Sequence, residues 1–178
     1  MSGVCEIAQL GAKVLRQKAE AVTDVHDAEV KRIIEAMHST LASTSGVGIA
    51  APQISESKRI IIMASRPTPR YPSAPLMEPT VMINPCFEVL SDRQEKDWEG
   101  CLSVPGIRAL VPRYQEIRIR YTDQQGDSVE DELSGFVARI FQHEVDHLDG
   151  KTYLDRLESN EDIFAESEFV KLISGSSV

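Results

Sequence analysis

Residues 142–150, Gln-His-Glu-Val-Asp-His-Leu-Asp-Gly, constrain this chain more than any other stretch. His143 and His147 stand four residues apart, which on an α-helix puts both imidazoles on one face, one turn apart. Two neutral imidazoles so placed can grip one metal ion. Glu144 approaches the same point from the side and suits a base better than a ligand. Phe136, Val137, Ile140, Phe141, Val145 and Leu148 recur at helical spacing, so the segment is expected to be helical. Ser134 suits its N-cap and Gly150 the C′ position that ends it. A histidine on an apolar helix face is more often a packed core residue than a ligand, so the pair needs support from elsewhere in the chain.

The remaining sequence narrows the setting. A chain of 178 residues fits one domain, expected over 1–178 with residues 157–178 as a C-terminal helical tail. A formal net charge of −9 argues against a nucleic-acid partner held by a basic surface. The longest apolar run, around residues 60–64, is far short of a bilayer span, and the N-terminus lacks the layout of a secretory signal. Three cysteines without regular spacing do not make a disulfide framework and suit a reducing compartment. A cytoplasmic location is expected, or an organelle matrix if a transit segment has been removed.

Residues 24–45 read as a second helix, with Val30, Ile33, Ile34, Met37 and Leu41 on one stripe and Asp24 or Asp27 as its cap. Next comes Gly-Val-Gly-Ile-Ala-Ala-Pro-Gln, residues 46–53. It is either a tight connection or a cleft wall offering backbone groups and the Gln53 amide. Residues 58–64 predict an Ile-rich strand, and the five prolines within 66–79 predict a long loop. Residues 80–84 and 86–90 read as two short strands joined near Pro85, followed by a polar turn over 91–97. In residues 98–106, Cys101 has three readings: a buried free thiol, a nucleophile with a histidine partner, or a thiolate ligand. Residues 108–111, 116–122 and 128–133 alternate as half-buried strands, with a hairpin turn over 123–127. Residues 160–174 form a last amphipathic piece.

Three of these stretches together resemble one family, the peptide deformylases. Its signatures are a Gly-x-Gly-x-Ala-Ala-x-Gln loop, a Glu-Gly-Cys-Leu-Ser segment and a Gln-His-Glu-x-Asp-His-Leu helix. Residues 46–53, 99–103 and 142–148 carry all three, in order. The resemblance implies an α+β fold: antiparallel sheets around a central metal-binding helix, with a second N-terminal helix and a C-terminal helix. It implies Cys101, His143 and His147 as metal ligands and Glu144 as the catalytic acid/base. Gln53 and the Leu102 N–H would hold the developing oxyanion. Val47 and Gly48 would bound the substrate groove, with Arg108 near the substrate. It further implies removal of the formyl group from N-formyl-methionyl nascent peptides. The implied cofactor is one divalent ion, Fe(II) as the native metal, with Zn(II), Ni(II) or Co(II) as alternatives.

Helical phase adds a pocket beside His143, built on Phe136 and Ile140, for the methionine side chain. Some bacterial members end in a basic helix that docks on the ribosome. Here residues 155–178 hold six acidic and two basic side chains, so an RNA surface is a poor match. The tail is expected to pack through its Phe and Ile residues on its own domain or a second copy, which leaves monomer and homodimer both open. Three other classes remain, one of them a cysteine hydrolase using Cys101 and His143 as a dyad without metal. A structural metal module would need a fourth protein ligand from Cys5, Cys86, His26 or His38. A zinc peptidase would take its third ligand after the helix, from Asp149 or Asp155.

Overall fold

Three consecutive isoleucines, Ile60–Ile62, are fully buried and are followed by an equally buried Met63. Alternation along a strand divides them between two faces. Ile60 and Ile62 pack with Val30, Ile33 and Met37, while Ile61 and Met63 pack with Phe141, Val145 and Leu148. A strand sandwiched by two helices has no solvent face, and this is why residues 60–63 lack a polar alternate.

The computed structural model describes residues 3–68 and 72–175. Pro69 of the proline-rich stretch and the last three residues of the tail lie outside that description. The central strand is β2, Ile60–Ser65, paired antiparallel with β1, Gly48–Ala50, and with β3, Met77–Val89. β6, Glu116–Thr122, and β7, Ser128–Ser134, complete this sheet in the order β1-β2-β3-β6-β7. The second sheet has β5, Val104–Tyr114, flanked by β4, Gln94–Cys101, and β8, Ile163–Ala165. Helix α1, Ala28–Ala42, covers one face of the first sheet. Helix α2, Gly135–Leu148, packs on the other face and also against β5, and so lies between the two sheets. Helix α3, Glu166–Ser174, closes the C-terminal end. The expected α+β arrangement of antiparallel sheets around a central helix is what forms.

Local chemistry sets the boundaries. The Asp27 carboxylate accepts the Glu29 N–H and starts α1, which is shorter than the expected 24–45. Gly150, at φ +72°, ends the turn after α2 in the left-handed conformation.

Three expectations are corrected. Residues 80–90 are not two strands: β3 runs through Pro85, and its register with β6 slips between Ile83 and Cys86. Asn84 absorbs the irregularity at φ +51°, and its side chain exchanges hydrogen bonds with the Val22 backbone at 2.8 and 2.9 Å. Residues 94–97 belong to β4 rather than to a polar turn. β4 is an edge strand, so Gln94, Glu95 and Lys96 stay exposed and hide the apolar alternation. The piece over 160–174 is not one helix. Residues Ile163–Ala165 pair with Ile107–Ala109 of β5 before α3 begins, and Phe164 lies opposite Arg108.

Candidate metal centre and cleft

β4 ends at Cys101, and the two-residue Leu102–Ser103 turn reverses the chain into β5, with Cys101 opposite Val104. This hairpin tip faces the buried side of α2. Donor atoms of Cys101, His143 and His147 lie within 4.8 Å of one another, and among the described residues this is the group of His, Cys and acidic side chains placed to hold an ion. Cys101 Sγ is 3.3 Å from His147 Nε2. His143 and His147 are buried, with ring centroids 5.2 Å apart.

The orientation of His143 is fixed from behind. Its Nδ1 lies 2.7 Å from Glu99 Oε1. A carboxylate only accepts, so Nδ1 carries the proton and Nε2 is the nitrogen left for the side of the sulfur. Tyr153 stacks on the same ring at 5.9 Å, with 20° between the planes. Glu99 in turn receives two hydrogen bonds from Arg113, each 2.9 Å, and one from Arg139 at 2.7 Å. Arg113 also reaches Asp146, between the two histidines in sequence, at 2.6 Å, and Asp146 receives Arg156 from outside. Gln142 clamps the β5 backbone: its Oε1 accepts the Tyr114 N–H and its Nε2 donates to the Tyr114 carbonyl. The helix carrying the imidazoles is thus bolted to the sheet carrying the thiol.

These contacts set the electrostatics. Burial alone would push the Cys101 thiol up, but the adjacent His147 and His143 hold it well below its ordinary value. Burial likewise opposes ionisation of Glu99, and Arg113 outweighs it, leaving Glu99 ionised far below the usual carboxylate range. Glu144 has no such partner. Burial pushes its carboxyl up to about 7, and its Oε2 is buried without a hydrogen-bond partner.

Gly48 stands directly against this carboxylate. A Cβ there would lie 2.5 Å from Glu144 Oε1, so only glycine leaves Glu144 its present position. Gln53 Oε1 accepts the Ala50 N–H at 2.9 Å. This turns Nε2 toward the Ser103 hydroxyl at 3.1 Å and the Cys101 sulfur at 3.6 Å.

Above these groups opens a cleft of about 1110 Å³. Val47, Gly48, Gln53 and Leu102 line it beside the Cys101–His143–Glu144 floor, and Phe136, Ile140 and Arg108 line it as well. All nine sequence-derived site residues therefore meet at one centre or its cleft, and the Phe136–Ile140 pocket lies there too. The rival ligands are elsewhere. Cys5, Cys86, His26 and His38 join no such group among the described residues. Asp149 pairs with Arg59, and Asp155 with Arg16. Sequence reasoning passed over Arg113, Asp146 and Arg139. Their only trace was Asp146 inside the helix motif, because the partners are 10 to 40 residues away along the chain and on other elements.

The sequence profile described as polypeptide deformylase matches residues 4–162. The chain is 53% identical over 168 residues to peptide deformylase 2 of Nostoc sp., covering 94% of each protein. It is similar to a class I type b peptide deformylase from Acinetobacter baumannii solved with Met-Ala-Ser bound. There the TM-score is 0.83 at 45% identity, over 88% of this chain and 100% of that one. It is also similar to a Synechococcus elongatus peptide deformylase in complex with actinonin, with a TM-score of 0.77 at 34% identity, over 89% and 81%.

Proposed function

Since this chain belongs to the polypeptide deformylase family, we propose that it hydrolyses the N-formyl group from the formyl-methionine of newly made polypeptides, releasing formate. The observation that carries this reading is the convergence of one thiol and two imidazoles beside a buried carboxylate whose Oε2 has no hydrogen-bond partner among the described residues, at the floor of a cleft. The donor set fits a divalent metal: three ligands leave one position of a tetrahedral site for solvent or substrate. Cys101, His143 and His147 would hold the ion. When bound, it supplies Lewis acidity and makes a solvent molecule nucleophilic near neutral pH.

The chain's own groups do the rest. Glu144 takes the proton of the attacking water at its unpartnered oxygen and passes it to the departing amine, which leaves formate and a free amino terminus. Gln53 Nε2 and the Leu102 N–H donate to the carbonyl oxygen as charge grows there, typically about 2.7–4 kcal/mol for each well-placed donor. Val47 and Gly48 form the wall along which the peptide lies. The pocket of Phe136 and Ile140 takes the methionine side chain. Met-Ala-Ser, bound in the Acinetobacter relative, is the product that deformylation of formyl-Met-Ala-Ser would leave.

A thiolate with two imidazoles suits both Fe(II) and Zn(II), and we assign Fe(II) as the resident metal, with Ni(II) or Co(II) as working substitutes. We further place the chain in a bacterial-type cytoplasm without an rRNA-docking tail. Salt-sensitive binding to ribosomes that is lost on deleting residues 158–178 would overturn that last point.

The deciding experiment is an anaerobic assay of formate release from formyl-Met-Ala-Ser, with metal content measured on the same sample. Formate release should track bound metal, and Cys101→Ala should lose both. Full turnover in strong chelator would replace the reading with a cysteine hydrolase. Metal-loaded protein that releases no formate would end it.

A further inference from the structure

The three signature stretches, residues 46–53, 99–103 and 142–148, come from distant parts of the chain, and one N-terminal segment touches the last residue of each. The Ala8 N–H donates to the Gln53 carbonyl, the Leu10 N–H to the Ser103 carbonyl and the Ala19 N–H to the Leu148 carbonyl, each at 2.8 Å. The segment is also fixed between these bonds. Leu15 is fully buried, Arg16 pairs with Asp155 at 2.6 Å, and a Cβ on Gly150 would meet the Arg16 carbonyl at 2.8 Å.

The first two bonds bear on the groups that would receive the carbonyl oxygen. Gln53 is held at both ends: its side-chain Oε1 accepts the Ala50 N–H, and its main-chain carbonyl accepts Ala8. Ser103 follows Leu102 directly. Its hydroxyl accepts Gln53 Nε2 at 3.1 Å, while its carbonyl accepts Leu10. Two residues of extended chain reach at most about 7 Å, so Ala8 and Leu10 limit how far the Gln53 segment and the Leu102–Ser103 turn can drift apart. Neither Ala8 nor Leu10 lines the cleft, so both act through the residues they hold.

We propose that residues 8–19 are a positioning arm for the reaction, in which the Ala8 and Leu10 N–H groups hold Gln53 Nε2 and the Leu102 N–H at the separation that the developing oxyanion requires. The inference rests on the deformylase reading. Donors aimed at transition-state charge work only when they stand in place beforehand. Displacing such a group by about 1 Å can cost about 100-fold in rate. The Ala19 bond and the Arg16–Gly150 contact carry the same arm to the end of α2. The two donors are thereby set in register with the helix that bears His143 and His147.

Leu10 allows one of these bonds to be removed alone. The Ala12 N–H closes a turn on the Gln9 carbonyl at 2.9 Å, with Gly11 at φ +107° in its third position. Leu10 holds the second position, which suits proline, and proline has no N–H to give. Leu10→Pro, assayed as metal-loaded full-length enzyme on formyl-Met-Ala-Ser, should lower kcat by about tenfold or more. KM, metal content and melting temperature should stay close to the wild type. Leu10→Ala trims an exposed side chain but keeps the N–H, and should restore the turnover that proline removes. Ala8→Pro, which cuts the bond to Gln53, should repeat the loss. With Gln53→Ala already in place, the same prolines should cost far less, because the donor they position is gone. Leu10→Pro and Ala8→Pro enzymes that turn over like the wild type would overturn the proposal. So would losses of equal size with and without Gln53, or losses that come with released metal and early melting in both variants, since the arm would then be a structural brace only. Wild-type enzyme that releases no formate would instead overturn the deformylase reading, and the inference with it.

Discussion

Glu99 Oε1 lies 2.7 Å from His143 Nδ1 and receives Arg113 at 2.9 Å, so one carboxylate both orients a candidate metal ligand and neutralises a buried guanidinium. Glu99→Gln would keep the shape but remove the charge, leaving Arg113 and Arg139 short of an anion in an interior where each is 3–5% exposed. Breaking a buried pair in this way costs about 3–5 kcal/mol. Losing the group that orients a ligand weakens metal binding by about 10–100-fold. Glu99→Gln should therefore lower both the melting temperature and the metal affinity, measured by calorimetry and by competition with a chromogenic chelator. A variant that binds metal as the wild type does would show that His143 is aimed by the helix alone.

Gly48→Ala separates activity from stability. The new methyl group would arrive 2.5 Å from Glu144 Oε1, and the obstacle is the end of a side chain rather than backbone. Glu144 can rotate aside at small folding cost, but its carboxylate then leaves the place from which it would take a proton. General-base catalysis is worth about 100–10,000-fold, so kcat for deformylation should fall by about 100-fold or more. The melting temperature should stay within a few degrees. Parallel loss of activity and stability would mean that the methyl group disturbs β1 instead.

Phe136 tests the methionine pocket. It is half-buried on α2 and lines the cleft together with His143 and Ile140. Phe136→Asp places a charge where a thioether side chain would sit, and desolvating that charge opposes binding. KM for formyl-Met peptides should rise by about tenfold or more, with a smaller change in kcat. An unchanged KM would move the pocket to another part of the cleft.

Half of the centre was legible in sequence because its chemistry is local: helical spacing joins His143 to His147. Cys101 kept three readings on its own, and only the family resemblance set it beside the histidines. The bonds that hold these pieces together were not legible. Glu99, Arg113, Arg139 and Asp146 come from three elements, and no periodicity in any one of them announces a partner in another. Edge strands also escaped. β4 shows charged residues because its outer edge is solvated, and β8 is only three residues long, too short to display a period. The role of α3 was hidden for the same reason. A pattern reading assigns Phe169 to an apolar stripe but cannot say that the stripe meets Trp98.

Phe169 offers the sharpest test of that last contact. Trp98 is the only tryptophan in the chain and touches Phe164 of β8 and Phe169 of α3, so its emission reports on the docking of this C-terminal segment. Phe169→Ala removes a fully buried ring, at a cost of about 3–5 kcal/mol. A nine-residue helix has almost no stability of its own, so α3 should come away from β4 while both sheets and α2 stay folded. Trp98 emission should shift to the red well below the main melting transition, and protease should cut within residues 159–175 first. Emission and cleavage that change only at the main transition would show that α3 stays docked without this ring.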